Sequence, residues 1–230
     1  MRVCIIGSGL SALALAKALV NQNVFVDIVS NSKNHKIIQS RTIGISKSNY
    51  EYFNSNIVNI EKIIWKVKKI EIYSDNLKNE KVLNFENDNR QLFSIVQNYK
   101  LYEIINKSLS SSKFYKSIKK KDGVMHFKDY DLIINTDYFS LFTKKFFNKK
   151  ITKTYDSLAH TSIIEHEKIF NSTAVQIFTK KGPLAFLPIS NNKTSIVYSI
   201  YNSKNNTKEN VNELIKQYNF YVLIYFQIDD

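Results

Sequence analysis

The sequence contains little cysteine, proline or glycine, and some of these shortages exclude whole classes of protein. A single cysteine, Cys4, cannot form a disulfide framework, which fits a reducing compartment such as the cytoplasm. No run of 18 or more apolar residues occurs, so no segment has the pattern of a membrane-spanning helix. The four histidines, His35, His126, His160 and His166, lack metal-ligand spacing, and we predict no metal site.

The scarcity of glycine gives weight to one stretch near the start of the chain. Only five glycines occur in 230 residues, and Gly7 and Gly9 stand two positions apart, between an apolar strand pattern and an apolar helical pattern. In a dinucleotide-binding turn the first glycine permits the tight turn, the second lets backbone approach a pyrophosphate, and a small third residue lets helix pack on strand. Gly7, Gly9 and Ala12 meet these requirements, and Leu10 and Ser11 complete the predicted turn.

A second strand pattern at residues 24–29 gives the turn the spacing of a βαβ unit. The acidic ribose ligand expected about 20 residues after the glycines is replaced by Ser30, which can hydrogen-bond a ribose more weakly. Asp27 lies three residues too early, inside the strand. A secretory signal is the competing interpretation of Arg2 and the apolar, small residues that follow, but Lys17 and the glycines interrupt the apolar run.

The rest of the chain predicts alternating helices and strands. Cys4 is expected to be a buried apolar side chain on the first strand. Residues 131–137 are apolar until a polar tip, as is typical of a central parallel strand. The other predicted elements are an extended stretch at 41–46; helices at 47–54, 59–68 (with Trp65), 98–109 and 206–218; antiparallel strands at 70–73 and 82–85; a short strand at 93–96; successive antiparallel strands at 161–164, 174–178, 184–187 and 195–200; and an exposed apolar strand at 221–227.

The formal net charge of +13 suggests nucleic acid or an anionic membrane as a partner. The lysines are scattered along the whole chain, however, and we predict no nucleic-acid binding. The densest run, residues 113–121, is predicted to be a solvated loop or strand end, although a role near anionic lipid headgroups stays open.

Both prolines of the chain fall within one heptapeptide, Gly182-Pro183-Leu184-Ala185-Phe186-Leu187-Pro188. Proline cannot donate to a β-ladder and fixes its own φ angle, so this pair predicts a shaped sheet edge or a bend. On residue chemistry alone the segment is a rigid hairpin.

The order of these pieces resembles the flavin-dependent aromatic-ring monooxygenases, and among them the ubiquinone-biosynthesis hydroxylases. Residues 7–12 are similar to that family's FAD pyrophosphate turn, and residues 41–46 (RTIGIS) to its D-x-R-x-x-A-L-S segment. Residues 135–140 (NTDYFS) resemble its A-D-G-x-x-S motif, and residues 182–188 its G-P-L-A-L-L-P strand pair over the substrate.

The resemblance implies an α/β fold, α+β overall: an FAD-binding Rossmann-like parallel sheet with an inserted antiparallel substrate-binding sheet. It assigns residues 1–75 and 90–145 to the FAD domain, and 76–89 and 146–230 to the substrate domain. The implied reaction is hydroxylation of a phenolic ring through a flavin hydroperoxide, with NAD(P)H as electron donor and dioxygen as co-substrate. The substrate would be a polyprenylphenol intermediate of ubiquinone biosynthesis.

The resemblance also implies site residues and a cellular location. Arg41, Thr42 and Asp137 join residues 7, 9–12 and 30 as cofactor-binding residues. The substrate-binding residues are Gly182, Pro183, Leu184, Phe186 and Pro188, and no residue is assigned a catalytic role. The implied location is the cytoplasm, with peripheral association with the inner membrane or with a biosynthetic complex.

The sequence departs from the family pattern at four places. Tyr138 replaces the motif glycine, Thr143 replaces an arginine, and Ser30 replaces the acidic ribose ligand. The family's later G-D motif does not occur before Asp230, so the sequence predicts the N-terminal part of a longer enzyme. Two alternatives stay open: an inactive truncated remnant or membrane-surface-binding fragment, and an NAD-dependent dehydrogenase, whose sheet would continue with βαβ units after residue 46.

Overall fold

The chain forms two compact units in the computed structural model. The structure describes residues 1–31, 38–77, 80–87, 90–120, 127–147, 149, 151–201 and 211–218. The first unit comprises Met1–Ile38, Tyr50–Lys62 and Asn98–Lys153, and the second comprises Gln39–Asn49, Ile63–Gln97 and Thr154–Asp230. Segment 63–97 therefore lies as a whole in the second unit.

The elements follow one another in an order that mixes helices and strands. They are β1 (Arg2–Ile6), α1 (Leu10–Asn21), β2 (Phe25–Asn31), β3 (Thr42–Ser46), α2 (Lys47–Asn56), β4 (Ile64–Val67), β5 (Lys69–Ser74), β6 (Lys81–Glu86), β7 (Phe93–Gln97), α3 (Asn98–Ser110), β8 (Tyr115–Lys120), β9 (Leu132–Asn135), α4 (Leu141–Phe146), β10 (Ser157–Glu165), β11 (Thr173–Thr179), β12 (Gly182–Ser190), β13 (Lys193–Tyr201) and α5 (Val211–Tyr218).

The first unit contains a four-stranded parallel sheet in the order β8-β2-β1-β9. Helix α1 connects β1 to β2 and packs against α3. It buries small or apolar side chains, among them Ala12, Ala16 and Val20. Another cluster joins Cys4 and Val29 to partly buried aromatic side chains of the segment 127–142. Apolar residues with small side chains in the helix thus let the βαβ unit close tightly.

Two expectations about this sheet are wrong. Strand β9 is parallel, as predicted, but it stands at the edge of the described sheet and not at its centre. For the lysine-rich run the expectation of a loop is wrong and its alternative, a strand end, holds in part, because residues 115–120 form the strand β8, in parallel register with β2. Ile118 packs into the core while Lys116 and Lys119 are exposed, so pairing with β2, and not an alternation of side chains, makes this run a strand.

The second unit contains a six-stranded sheet and a three-stranded sheet. The six strands run in the order β10-β13-β12-β11-β5-β6, with every pair antiparallel except β11 with β5. The smaller sheet, β3-β7-β4, is antiparallel. A second core cluster, which includes Val67, Ile95 and Ala174, lies in this unit.

The predicted helix at residues 59–68 is wrong, because residues 64–67 form strand β4. Trp65 pairs with Ile95 of β7, its indole nitrogen donates to the Asn171 carbonyl at 2.5 Å, and Val67 is fully buried. Pairing and burial in the tertiary structure therefore override the helical spacing of the segment.

The two prolines lie on an inner strand, so the expectation of a sheet edge is wrong, and the ladder is irregular at Pro188. Strand β12 has β11 on one side and β13 on the other. Its register with β13 shifts between Pro188 and Ser190, and Pro188 lies beyond the residues that pair with β11. An inner strand accepts a proline where the ladder is irregular.

The predicted fold class is confirmed: the molecule is a mixed α/β structure with a parallel sheet and separate antiparallel sheets. Helices α2 and α3, strand β7, the β5–β6 pair and strands β10 to β13 occur where the patterns predict them. Helix α5 begins at Val211, and the predicted residues 206–210 lie outside the described residues, as does the strand predicted at 221–227. Among the described residues, none of the helices has the length and apolar character needed to cross a membrane.

Candidate functional site

The turn between β1 and α1 requires glycine at position 7 for two separate reasons. Gly7 has a φ angle of +114°, a conformation that side chains rarely adopt. A Cβ atom at this position would also collide with the Thr136 hydroxyl. The Gly7 amide donates to the Val29 carbonyl at 2.8 Å, which fixes the turn against β2.

Gly9 differs from Gly7, because neither its backbone angles nor its protein neighbours require glycine. Its φ and ψ angles are −75° and 175°, and a Cβ atom would meet nothing within 4 Å. Gly9 is exposed and stands at the N-cap of α1, so no side chain caps the helix, and the first turn of α1 contains no acidic residue. The open space lies beside the amides and the positive dipole end of a 12-residue helix, which is where phosphates bind.

The segment after β9 is fastened to the end of β1 by Thr136. The Thr136 amide and hydroxyl both donate to the Ile6 carbonyl, at 2.8 and 2.9 Å. The Asp137 backbone nitrogen and Cβ lie 3.3 and 3.4 Å from the position of a Cβ on Gly7. The structure thus brings Asp137 next to the glycine turn, at the carboxyl edge of the parallel sheet, and its role in cofactor binding stays a prediction.

A hydrogen-bond network holds the shape of this segment. The Asn135 side-chain oxygen accepts from the Ser140 hydroxyl at 2.9 Å, and the Asn135 amide group donates to the Thr143 hydroxyl at 2.7 Å. That hydroxyl donates in turn to the Asp137 carbonyl at 2.8 Å, and Ser140 caps α4 by accepting from the Thr143 amide. Threonine in place of the expected arginine therefore closes a compact polar turn.

Tyr138 does not crowd the backbone as its substitution for glycine suggests. The residue lies outside the positive-φ region, its side chain is exposed, and its ring packs edge-to-face on Phe139 with centroids 5.2 Å apart. The Asp137 carboxylate accepts from the Phe139 amide at 2.9 Å, so the turn is stabilised from within.

Ser30 lies near the end of β2, half-buried, opposite Lys119 of β8. Asp27, three residues earlier, is buried and its carboxylate accepts from the Arg2 guanidinium at 2.7 Å and from the Tyr130 hydroxyl at 2.7 Å. Burial and the Asp27 carboxylate raise the pKa of Tyr130 well above its usual range. Asp27 therefore acts inside the sheet, and the predicted contact of Ser30 with a ribose stays a prediction.

Arg41 and Thr42 lie in the second unit, at the start of β3. Arg41 is exposed, and the Thr42 hydroxyl lies 3.1 Å from the Ser195 hydroxyl of β13. Their predicted role in cofactor binding stays a prediction.

The predicted substrate segment forms β12 in the second unit. Gly182 has a φ angle of +138°, and a Cβ atom there would collide with the Ser199 carbonyl oxygen. Leu184 and Phe186 are fully buried in a cluster with residues of β10, β11 and β13. Pro183 is half-buried and Pro188 is buried. Leu184 and Phe186 thus form the core of the sheet, and contact of this segment with a substrate stays a prediction.

The cysteine and the described histidines show no arrangement for nucleophilic catalysis. Cys4 is fully buried, as predicted, and burial raises the pKa of its thiol to about 11. His160 is exposed, and the His166 imidazole bonds to the Thr194 hydroxyl and the Glu167 carbonyl. His35 and His126 lie outside the described residues.

Sequence reasoning missed Thr136 and Asn135 as the residues that build the site. Asn135 ends the apolar strand β9 and Thr136 follows it directly, and a polar amide or hydroxyl at the end of an apolar strand was the available signal. Their partners Ile6 and Thr143 are visible only in the folded chain.

No protein-family model matches the sequence, and no curated protein sequence matches it either. The structure, by contrast, is similar to several solved structures. PqsL of Pseudomonas aeruginosa in complex with 2-aminobenzoylacetate has a TM-score of 0.71 at 14% sequence identity, over 94% of this chain and 63% of PqsL. PqsL is described as a probable FAD-dependent monooxygenase.

Two other similar structures come from different organisms. HpxO of Klebsiella pneumoniae, complexed with FAD and uric acid, has a TM-score of 0.67 at 13% identity, over 96% of this chain and 61% of HpxO. The 2,6-dihydroxypyridine-3-hydroxylase of Arthrobacter nicotinovorans has a TM-score of 0.65 at 16% identity, over 87% of this chain and 56% of that enzyme. The chain thus spans about three fifths of the length of these proteins, and at such identities the likeness establishes the fold.

Proposed function

We propose that this chain carries the FAD-binding part of a flavin-dependent monooxygenase that hydroxylates an aromatic ring. The observation that carries the proposal is the open space at Gly9, beside the start of α1. Neither the backbone angles of Gly9 nor any neighbouring protein atom requires a glycine there. Two of the similar structures support FAD over other dinucleotides. PqsL is described as a probable FAD-dependent monooxygenase, and HpxO is complexed with FAD.

The residues of the turn fit the FAD pyrophosphate. An uncapped helix N-terminus with Gly9 at its entrance offers backbone N–H groups to phosphate oxygens, and the first turn contains no carboxylate to repel them. Leu10, Ser11 and Ala12 would contribute their amides, and Ser30 would donate its hydroxyl to the adenosine ribose. Ser30 forms fewer hydrogen bonds than a carboxylate, so we expect modest affinity.

Bound FAD would supply the redox chemistry, using NAD(P)H as electron donor and dioxygen as the source of the inserted oxygen atom. The protein residues bind and orient the cofactor. Thr136 and Asp137 fix the turn, and Arg41 and Thr42 are proposed as further cofactor contacts. We assign no acid or base, since the cofactor performs the oxygenation.

We further propose a phenolic substrate, more narrowly a polyprenylphenol of ubiquinone biosynthesis. The resemblance of residues 182–188 to the family's substrate strands supports this choice. Similar structures contain small aromatic or heteroaromatic compounds, namely 2-aminobenzoylacetate in PqsL and uric acid in HpxO. The proposed division places the FAD domain at residues 1–75 and 90–145, and the proposed location is the cytoplasm.

An NAD-dependent dehydrogenase is disfavoured by the strands after residue 46. A sheet of that class would continue with βαβ units, whereas β3, β4 and β7 form an antiparallel sheet. An inactive remnant is the alternative that the binding experiment below tests.

Gly9→Ala separates a binding role from a folding role. Because a Cβ at position 9 meets nothing within 4 Å, the variant should unfold at the same urea concentration as the parent. The methyl group would occupy the space of the pyrophosphate, so FAD affinity, measured by the quenching of FAD fluorescence, should fall at least tenfold. Gly44→Ala is the matched control, since its Cβ would make only ordinary contacts with Phe93 in the second unit.

The proposal fails if the parent chain does not bind FAD at all, or if Gly9→Ala and Gly44→Ala bind it equally well. The first result would favour the remnant, and the second would place FAD elsewhere on the chain.

A further inference from the structure

The segment that follows β9 exposes an unusual amount of apolar surface. Phe139, Leu141, Phe146 and Phe147 are 81%, 67%, 62% and 63% exposed, and they fall within nine residues of the first unit. We call these four side chains the apolar patch. Single exposed apolar residues are common on protein surfaces, but a group of this kind marks an interaction site.

The fold holds the apolar patch outward. Ser140 caps α4, and Thr143 ties the helix to Asn135 and Asp137, so the backbone of the segment is fixed. Phe142 takes the inward position, with its ring edge-to-face on Phe127 at 4.8 Å. With that inward position filled, the four neighbouring side chains are left facing solvent.

The charge of the same segment has one sign. From Tyr138 to Lys153 the sequence contains five lysines and no aspartate or glutamate. Lys144 and Lys145 lie in the last turn of α4 and are exposed, and the Lys145 ammonium lies 5.3 Å from the centre of the Phe146 ring. Cationic and apolar side chains therefore occur together in one exposed stretch of the sequence.

We propose that the apolar patch and Lys144 and Lys145 together bind the surface of an anionic lipid bilayer. The apolar side chains would enter the headgroup region while the lysines contact lipid phosphates, which is how basic, apolar surfaces bind membranes. A nucleic acid would satisfy the lysines but leave Leu141 and the phenylalanines without a partner. This inference does not depend on FAD binding.

The other lysine-rich segment has charge without this apolar surface. In β8, Ile118 packs into the core while Lys116 and Lys119 are exposed. Charge alone gives weak attachment to a membrane. We therefore expect lipid contact at the segment after β9 and not at residues 113–121.

Co-sedimentation of the full chain with vesicles tests the proposal. Vesicles of phosphatidylcholine with phosphatidylglycerol should bind the chain, and vesicles of phosphatidylcholine alone should not. Phe139→Ser/Phe147→Ser and Lys144→Glu/Lys145→Glu should each lower partitioning at least tenfold. Two controls test whether position matters: the single change Phe170→Ser, at a phenylalanine that is 83% exposed in the second unit, and the pair Lys113→Glu/Lys116→Glu at the start of β8 and just before it should each stay within twofold. Far-UV circular dichroism should show that every variant is folded.

Several results would overturn the proposal. One is loss of binding in the lysine pair but not in the phenylalanine pair, which would mean attachment by charge alone. A second is an equal loss of vesicle binding in Lys113→Glu/Lys116→Glu, which would also mean attachment by charge alone. A third is binding to duplex DNA without binding to vesicles. A fourth is a dimer, detected by light scattering, that the phenylalanine pair abolishes while no vesicle binding occurs. None of these results affects the FAD proposal, which the Gly9→Ala variant tests separately.

Discussion

Replacing Gly7 by alanine tests the turn in a way that a double-mutant cycle can resolve. A positive φ angle costs a residue with a side chain about 1–3 kcal/mol, and we take about 2. The collision of the new Cβ with the Thr136 hydroxyl adds about 1–2 kcal/mol. Gly7→Ala should therefore destabilise the first unit by about 3–4 kcal/mol.

The second side of the cycle is Thr136→Ala. This change removes the hydrogen bond from the Thr136 hydroxyl to the Ile6 carbonyl, which costs about 1 kcal/mol. It also removes the atom with which a Cβ at position 7 collides. The double variant should then lose about 3 kcal/mol, less than the about 4–5 kcal/mol of the two changes added, because only the backbone strain and the lost hydrogen bond remain.

Native-state hydrogen exchange gives the free energy of opening for this unit alone. Peptides that cover β1 and α1 report it directly in the parent and the three variants. If the double variant lost as much stability as the two single variants added together, the Thr136 hydroxyl would not be what excludes a side chain at position 7. A loss below about 1 kcal/mol in Gly7→Ala would refute the requirement for glycine altogether.

Three further predictions concern other parts of the chain. Gly182→Ala should destabilise the second unit by at least about 2 kcal/mol in urea unfolding, because its φ angle is +138° and the Ser199 carbonyl oxygen occupies the Cβ position. Burial raises the pKa of Glu71, but hydrogen bonds from Lys81, Lys69 and Tyr73 outweigh it and lower the pKa to about 2. This stabilisation is complete above the ordinary pKa of 4.5 and disappears as the pH falls towards 2, so Glu71→Gln should cost about 1–2 kcal/mol at pH 7 and progressively less in acid. Cys4, with its thiol pKa raised to about 11, should not react with a thiol reagent at pH 8 until the chain unfolds, as mass spectrometry would show.

The βαβ unit was predictable because its determinants are local. An apolar strand, two glycines and an apolar helix lie within 21 residues, and of the two glycines Gly7 is required by its backbone angle and its neighbours. The helix at 98–110 likewise follows from apolar spacing within one element, since Leu101, Ile105 and Leu109 are its buried residues.

The errors come from contacts between residues far apart in the sequence. Trp65 belongs to a strand because β7 pairs with it and because its indole donates to the carbonyl of Asn171. Asn171 lies 106 residues away in the sequence. An apolar run such as β9 indicates a strand but not where the strand stands in the sheet, and β9 is in fact only partly buried. The prolines of β12 suggested an edge because a register shift on an inner strand has no local signature.

The candidate site divides in the same way. The glycines were predictable from their spacing and Asp137 from the family resemblance, whereas the role of Thr136 was not, since its partner Ile6 is 130 residues distant. In the sequence, Thr143 is a departure from the family pattern, which has an arginine at this position. Only the hydrogen bonds to Asn135 and Asp137 show that it stabilises the turn.

Trp65 provides a fluorescent reporter that lies in the second unit alone. It is the only tryptophan in the sequence, and its indole is held by the Asn171 carbonyl within the second unit. Its emission should therefore follow the melting of the second unit, while the far-UV circular dichroism sums the helices and strands of both. A single urea titration recorded with both signals would show whether the two units unfold together or in sequence, without any label.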